Sequence, residues 1–382
     1  MGAGRPLSMG LMSGLGHDAE ALARQAANAR ARLGTVERDL VVGGVTIRLV
    51  CAGPTLADAL WTAFVAAPTP VPGPAPASLP VSVGTPSVTI ELWDVSEAGE
   101  ALPPLSVLEP DPVHPGSTYR QDAFREAWFQ PVESAISLID HEQRRGWYCV
   151  RSTADLPAWE AGAPLRALLR WALADHDLHL VHAAGIGGRG RDGRGLLLTG
   201  RGGSGKSTTT ALCALAGLSI VGDDYVVLDP VGRQVHALYR TAKLDPHLVA
   251  AHAVFAAQPR VPVGTDKVML LLDELGAGCF VRTLPIDAVV TPHVRGDGTA
   301  ATRFTATSPA HALRALAPST MLQLPGHSNR SLEAMSAIAA AAPTFEASLG
   351  ADLDVVAPAV VSFLTALTPT ATVAVGRQQH HG

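Results

Sequence analysis

Charge is scarce in this chain of 382 residues: Asp, Glu, Lys and Arg make up 16% and aromatic residues 5%, against 47% hydrophobic residues. That balance excludes wholesale disorder and leaves apolar surface for one large domain or two ordinary ones. Basic excess is missing as well, since the net charge is −5 and the pI near 6.3. The basic residues form no long run, and "RGRDGRG" at 189–195 reads as a solvated turn. A nucleic-acid footprint needs a basic face, so that class of partner is excluded. The four cysteines (Cys51, Cys149, Cys213, Cys279) lie far apart, with no C-x-x-C pair and no histidine at zinc spacing. They read as reduced, partly buried thiols of a cytoplasmic protein. The first residues hold no apolar block of signal-peptide length, and Pro6 stands where a myristoylation pattern needs Ser or Thr. Val355 to Gly376 is uncharged, but Pro358, Pro369 and several threonines break it. A packed C-terminal helix with a loose tail is expected there, rather than a membrane span.

Residues 1–34 read as a flexible start followed by a short helix, "DAEALARQAANARARL", whose apolar face is thin. A β-rich region is expected over 35–155: "RDLVVGGVTIRLVC", "PSVTIELWDV", "AISLID" and "GWYCVRS" are strand-like, and "AAPTPVPGPAPASLP" (66–80) is a Pro/Ala linker. At "PLRALLRWALADHD" (164–177) leucines and tryptophan recur at helical spacing. Then come "LHLVHAAGIGG" as one apolar strand, "GLLLTG" as a second, a glycine-rich loop, "STTTALCALAGL" as a helix and "SIVGDDYVVLD" as a further strand. The remainder alternates strands ("KVMLLLDEL", "CFVRTL", "AVVTPHV") with alanine-rich helices ("PAHALRALA", "EAMSAIAAAA"). The expected fold class is α/β, with a domain over 160–370 and a tail over 371–382.

The loop "GRGGSGKS" fits G-x-x-x-x-G-K-[ST] through Gly200, Gly205, Lys206 and Ser207, with Gly202 and Gly203 adding freedom. Glycines let the backbone turn its N–H groups toward phosphate oxygens. Lys206 then reaches the β- and γ-phosphates and the Ser207 hydroxyl sits on Mg²⁺, while the helix starting near Lys206 aims its positive end at the same anion. The expected nucleotide-binding set is Gly200, Gly202, Gly203, Ser204, Gly205, Lys206, Ser207 and Thr208, with ATP and Mg²⁺ as cofactors. Asp223 and Asp224 follow Lys206 by seventeen and eighteen residues, at the end of an apolar run. Phosphoryl transfer to a hydroxyl needs a carboxylate to accept the proton and acidic help in holding Mg²⁺. A turn-capping pair is the bland alternative, and a rival reading puts Asp229 of "VVLD" on the metal. His182 in "LVHAAG" stands at a strand end close to the same crevice.

Taken together and in this order, "HAAG" at 182, "GRGGSGKS" at 200 and "DD" at 223 resemble the HPr kinase/phosphorylase family, whose core is shared with ATP-type phosphoenolpyruvate carboxykinases. The resemblance covers 164 to about 230 and reaches the C-terminus by its order of elements. It implies a P-loop kinase domain of the HPr kinase C-terminal type, preceded by a smaller β-rich region. It implies roles too: Lys206 and Ser207 on phosphates and Mg²⁺, Asp223 as base on an acceptor hydroxyl, Asp224 supporting metal and base, and His182 at the transferring phosphate. Which aspartate is the base stays open. Gly202 replaces the family's loop serine, and the family's downstream Glu-containing signature is absent. "LYRTAKLDP" (238–246) stands near its place, making Arg240 and Lys243 candidate contacts to phosphate or substrate.

The β-rich region does not resemble the regulatory domain of the bifunctional enzymes, which points away from HPr itself. HPr-kinase-like proteins outside sugar regulation include kinases of the C-terminal serine of lasso-peptide precursors. The resemblance therefore implies a peptide or protein partner with an acceptor serine, and a homo-oligomer, since the best-known relatives are hexamers. A small-metabolite kinase and a nucleotide-binding regulatory module without turnover are the alternatives.

Overall fold

The computed structural model describes residues 9–65, 85–109, 118–188, 193–251, 253–256, 261–263, 267–276, 278–295, 301–326 and 329–367. The Pro/Ala linker and the tail fall outside these residues. The fold is mixed α/β, with four sheets among the described residues.

Helix α1 (Met9–Leu33) is longer than the sequence pattern suggests. Its Leu15, Ala19, Leu22, Ala26 and Ala29 recur at three- and four-residue steps and are all buried. Small alanines let the helix axis approach a sheet closely, so the thin apolar face suffices to anchor it. "RDLVVGGVTIRLVC" is a hairpin rather than one strand: β1 (Thr35–Val42) turns back into β2 (Val45–Ala52). Gly43 and Gly44 make the turn with φ of 56° and 84°, a conformation matched to the twist of paired strands. After α2 (Pro54–Trp61) come β3 (Val88–Asp94), β4 (Tyr119–Gln121), β5 (Arg125–Gln130), β6 (Ala135–Asp140) and β7 (Arg145–Val150). These seven strands form one sheet in the order β1-β2-β3-β7-β6-β5-β4. Strand alternation assigns Trp147 and Cys149 to the α1 face and Tyr148 and Val150 to the other. On that second face the core continues through α3 (Arg166–Ala174) to Leu180, Val227 and Tyr239, so the first sheet shares its interior with the rest of the chain.

"LHLVHAAGIGG" divides into β8 (His179–Val181) and β9 (Ala183–Gly187), which belong to different sheets. β10 (Gly195–Thr199) leads into the loop and helix α4 (Lys206–Leu215). "SIVGDDYVVLD" divides too, into β11 (Ser219–Gly222) and β12 (Val226–Asp229). β9 pairs with β11, and β8 with β12, both antiparallel. The two segments thus cross together from one sheet to the other, at His182 and at Asp223–Tyr225. The physical cause at the second crossing is local. Asp224 takes φ of 69°, and the Tyr225 N–H donates to the Asp223 carbonyl at 2.8 Å, closing a three-residue turn that no pleated strand can contain.

β12 joins β13 (Gln234–His236) in a four-stranded sheet, and β14 (Thr241–Leu244), β15 (Val261–Val263) and β16 (Lys267–Leu271) make a sheet of three. "KVMLLLDEL" is therefore a strand only to Leu271, with a helical turn from Leu272 to Leu275. β17 (Thr283–Pro285) borders β13. β18 (Ala288–Val294), β19 (Arg303–Ala306), helices α5 (Pro309–Met321) and α6 (Asn329–Ala341), and β20 (Thr344–Leu349) complete the six-stranded sheet β11-β9-β10-β18-β20-β19 and its cover. α7 (Val356–Ala366) packs Val356, Val360 and Leu364 into the core. Among the described residues no helix is long and apolar enough to cross a membrane, and all four cysteines are free and buried.

Candidate active site

β10 and β11 both run antiparallel to β9 and hence parallel to each other. Thr199, the last residue of β10, pairs with Ala183, so His182 lies beside the start of the loop at one sheet edge. The chain leaves β11 at that edge, which is where Asp223 and Asp224 follow. One edge therefore gathers all three elements that the sequence pattern singled out.

The loop is built for close approach. Gly205 has φ of 100°, and a Cβ there would stand 2.4 Å from a Leu349 methyl carbon, so only glycine fits. At Gly202 an added Cβ would meet nothing within 4 Å. The absence of the family's loop serine is thus a matter of side chain, not of backbone. No side chain caps the first turn of α4, leaving its N–H groups to an outside acceptor. Lys206 is 5% exposed and folds back over the loop, donating to the Gly200 carbonyl and, at 3.4 Å, to that of Arg201. The hydroxyls of Ser204 and Thr209 are buried without a hydrogen-bond partner, while Ser207 and Thr208 keep partial exposure.

The two aspartates sit in opposite environments. Asp223 is 1% exposed, and neither of its carboxylate oxygens has a hydrogen bond of proper geometry. Burial, then the charge of Asp224, pushes its pKa up to about 6, although Ser207, Lys206 and His182 pull the other way. Asp224 retains 22% side-chain exposure and is ion-paired twice, with His182 Nε2 at 3.0 Å and Lys243 Nζ at 3.0 Å. Burial would raise it, but Lys243 and His182 together hold its carboxyl well below the usual carboxylate range. Burial also lowers the Lys206 pKa, against the pull of Asp223 and Asp224. One carboxyl is poised to exchange a proton near neutral pH beside another that stays ionised, a division of labour suited to acid–base chemistry.

His182 is held by its neighbours. Its backbone N–H donates to Thr320 Oγ1 at 3.0 Å, and its ring lies 5.5 Å from that of Tyr225. The Tyr225 hydroxyl donates to Gln323 at 2.6 Å. Thr320 and Gln323 carry no signal in the sequence, since they reach the site only through the folding of α5 and the turn that follows it. Lys243, a candidate substrate contact, is placed on Asp224 instead. Arg240 is not brought into the cluster: it donates to the Thr62 carbonyl at 2.9 Å and pairs with Asp273 at 2.8 Å. Asp229, the rival metal ligand, accepts from the Gly232 N–H at 2.8 Å in the turn after β12, about 10 Å along the strand from its start.

The donor set fits a magnesium–nucleotide pair. Mg²⁺ takes hard oxygen ligands, usually one or two carboxylates together with phosphates and water, and the Ser207 hydroxyl and the aspartates are of that kind. Among the described residues no group of three or more His, Cys, Asp and Glu is arranged to hold a metal by itself. Ser207 stands next to Asp223 rather than Asp224. Beside the loop opens a cleft of about 640 Å³, bounded by residues 200–204, the end of β18 and helix α5.

No protein-family model matches the chain, and no curated protein matches it. Among solved structures it is similar to the Hpr(Ser) kinase/phosphatase from Coxiella burnetii, with 16% identity, 42% of this chain and 93% of that chain covered, and a TM-score of 0.20. So loose a superposition carries no residue role from one protein to the other.

Proposed function

We propose that the protein is an ATP- and Mg²⁺-dependent kinase that transfers the γ-phosphate to a serine hydroxyl of a peptide or protein. The C-terminal serine of a lasso-peptide precursor is one acceptor of this kind. The observation that carries the reading is the buried Asp223 carboxylate, without a hydrogen bond of proper geometry on either oxygen, beside Ser207 and Lys206 of the glycine-rich loop.

Keeping Asp223 ionised there costs on the order of 3 kcal/mol at neutral pH, from its displacement from 3.8 to about 6. A module that only binds nucleotide has no need of such a group, whereas a base that strips a hydroxyl does. Lys206 and the open N–H groups of α4 hold the phosphates. Ser207 and Asp224 would hold Mg²⁺, which when bound would neutralise charge on the phosphates. Asp223 accepts the proton of the attacking hydroxyl. Asp224, kept ionised by Lys243, and His182, kept in place by Thr320 and Tyr225, stabilise the charge arrangement around it. The adjoining cleft is open, with Val294 59% and Leu322 86% exposed on its walls, which suits a peptide better than a compact metabolite.

The test is direct. Purified protein is given Mg²⁺, γ-labelled ATP and serine peptides, including a precursor ending in serine. Label on a peptide, lost in Asp223→Asn with ATP binding retained, supports the kinase. ATP binding without transfer to any acceptor makes the protein a nucleotide-binding module and ends the proposal.

A further inference from the structure

The cleft beside the loop has a chemistry of its own. Arg201 contributes one guanidinium from the loop and Arg314 another from α5. Both are exposed, and neither pairs with a carboxylate among the described residues. Glu346 is the one carboxylate among the described residues that line the cleft, and it is already flanked by His293 at 3.3 Å and His311 at 3.6 Å. Arg201, Arg314 and Glu346 give these walls two positive charges against one negative, on a protein whose net charge is −5. The exposed side chains of Val294 and Leu322 add apolar surface at the same place. At Gln323 the cleft meets the Tyr225 hydroxyl, and Tyr225 follows Asp224 directly in the chain. A chain lying in the cleft is thereby led toward the aspartate pair.

We infer that this cleft is the docking groove of the acceptor, and that it takes an acidic peptide segment with an apolar side chain near its serine. The inference rests on the kinase reading above and adds the class of peptide. Guanidinium forks match carboxylates in shape as well as charge, and an exposed apolar patch beside them marks a surface made to be covered. A compact acid would gain little from a groove with two exposed apolar walls.

The experiment measures binding separately from catalysis. A labelled peptide of sequence Glu-Glu-Ser-Leu-Glu and its Gln-Gln-Ser-Leu-Gln counterpart are titrated, by fluorescence anisotropy, into full-length protein loaded with Mg²⁺ and a non-hydrolysable ATP analogue. The acidic peptide is expected to bind about fivefold tighter, with a preference that fades as salt is raised. Arg314→Gln is expected to remove that preference while the affinity for the ATP analogue stays within about twofold. Arg314→Glu is expected to favour a lysine-substituted peptide, which a merely misfolded variant would not do. A fall in analogue affinity in Arg314→Gln would assign the groove to the nucleotide and overturn the inference. Displacement of the peptide by free glutamate at equal carboxylate concentration would assign it to a compact acid, also overturning it. If the wild-type protein binds the acidic peptide through Arg314 but transfers no phosphate to it or to any other peptide, the groove stands and the kinase reading falls. If it phosphorylates both peptides equally and Arg314→Gln changes nothing, the kinase stands and the groove falls.

Discussion

The first sheet and the loop-bearing edge handle buried charge in opposite ways. In the first, Glu91 sits between Arg30 and Arg145, and Asp140 accepts from the Gln143 N–H at 2.8 Å while facing Arg125 at 2.7 Å. Asp18 receives the Ser106 N–H and hydroxyl, and Asp94 the N–H groups of Glu97 and Thr153. These carboxylates hold a helix or a turn against a sheet, and each is met by donors that offset its desolvation. At the other edge Asp223 is as deeply buried, and only Ser207 stands near it as a hydroxyl donor, without a hydrogen bond of proper geometry. The difference teaches how to separate structural from chemical acids in one molecule. A carboxylate that the fold has already satisfied is fastening something, and one left unsatisfied beside a glycine-rich loop is kept available.

Substitutions at the two kinds of site should break or sharpen this contrast. The largest effect is expected from Asp223→Asn on transfer: a loss of about 10² to 10⁴ in rate with little change in ATP affinity, read from single-turnover label transfer and equilibrium binding. In the wild-type protein the same base should make the rate climb as pH rises through about 6, the range in which Asp223 gives up its proton. Asp140→Ala should instead reduce stability by about 3 kcal/mol, taking from the Arg125 guanidinium its nearer carboxylate and leaving it only Asp122 at 3.6 Å, and denaturant unfolding followed by circular dichroism would measure it.

The next outcome concerns sign. Asp223 has a raised folded-state pKa, so between about 3.8 and about 6 the folded state binds the extra proton and stability declines as pH rises. Asp223→Asn should therefore stabilise the protein at pH 8, by up to about 3 kcal/mol, and the gain should vanish below about pH 4. A variant that melts higher while transferring far less would show the contrast in one molecule; equal melting at pH 8 would refute it. The smallest of these effects is expected for Lys206→Ala, which removes one charged donor to phosphate and should weaken ATP binding about tenfold or more. Unchanged affinity, by calorimetry, would mean that the loop does not cradle phosphate through that side chain.

Much of the site could be read in the chain because it is written in short stretches. Gly205, Lys206 and Ser207 are contiguous, and the demand for glycine at a loop before a helix is a backbone requirement that neighbours alone impose. The Asp223–Asp224 pair was legible for the same reason, as acids ending an apolar run. The strand breaks were not legible. Apolar residues continue on both sides of His182 and of the pair, so hydrophobic pattern cannot say where a segment leaves one sheet for another. Lys243 stands in the sequence as a candidate contact to substrate or phosphate, and its place against Asp224 depends on β14 and the turn meeting in space. Arg240 was singled out with it, only three residues away, and folding turned it instead to Thr62 and Asp273. The full length of α1 is not legible in the sequence, because alanines pack well only when a sheet comes close enough to cover them.

By itself the sequence determined an α/β chain with a glycine-rich loop between strand and helix, and an acidic pair at a set interval behind it. Local backbone geometry and short-range spacing decide these. Tertiary structure alone decided that two strands break side by side, that Thr320 fixes a histidine 138 positions earlier in the chain, and that adjacent aspartates acquire opposite proton affinities. The reason is that desolvation and ion pairing depend on which distant side chains close around a carboxylate, and no stretch of neighbours in the chain specifies that enclosure.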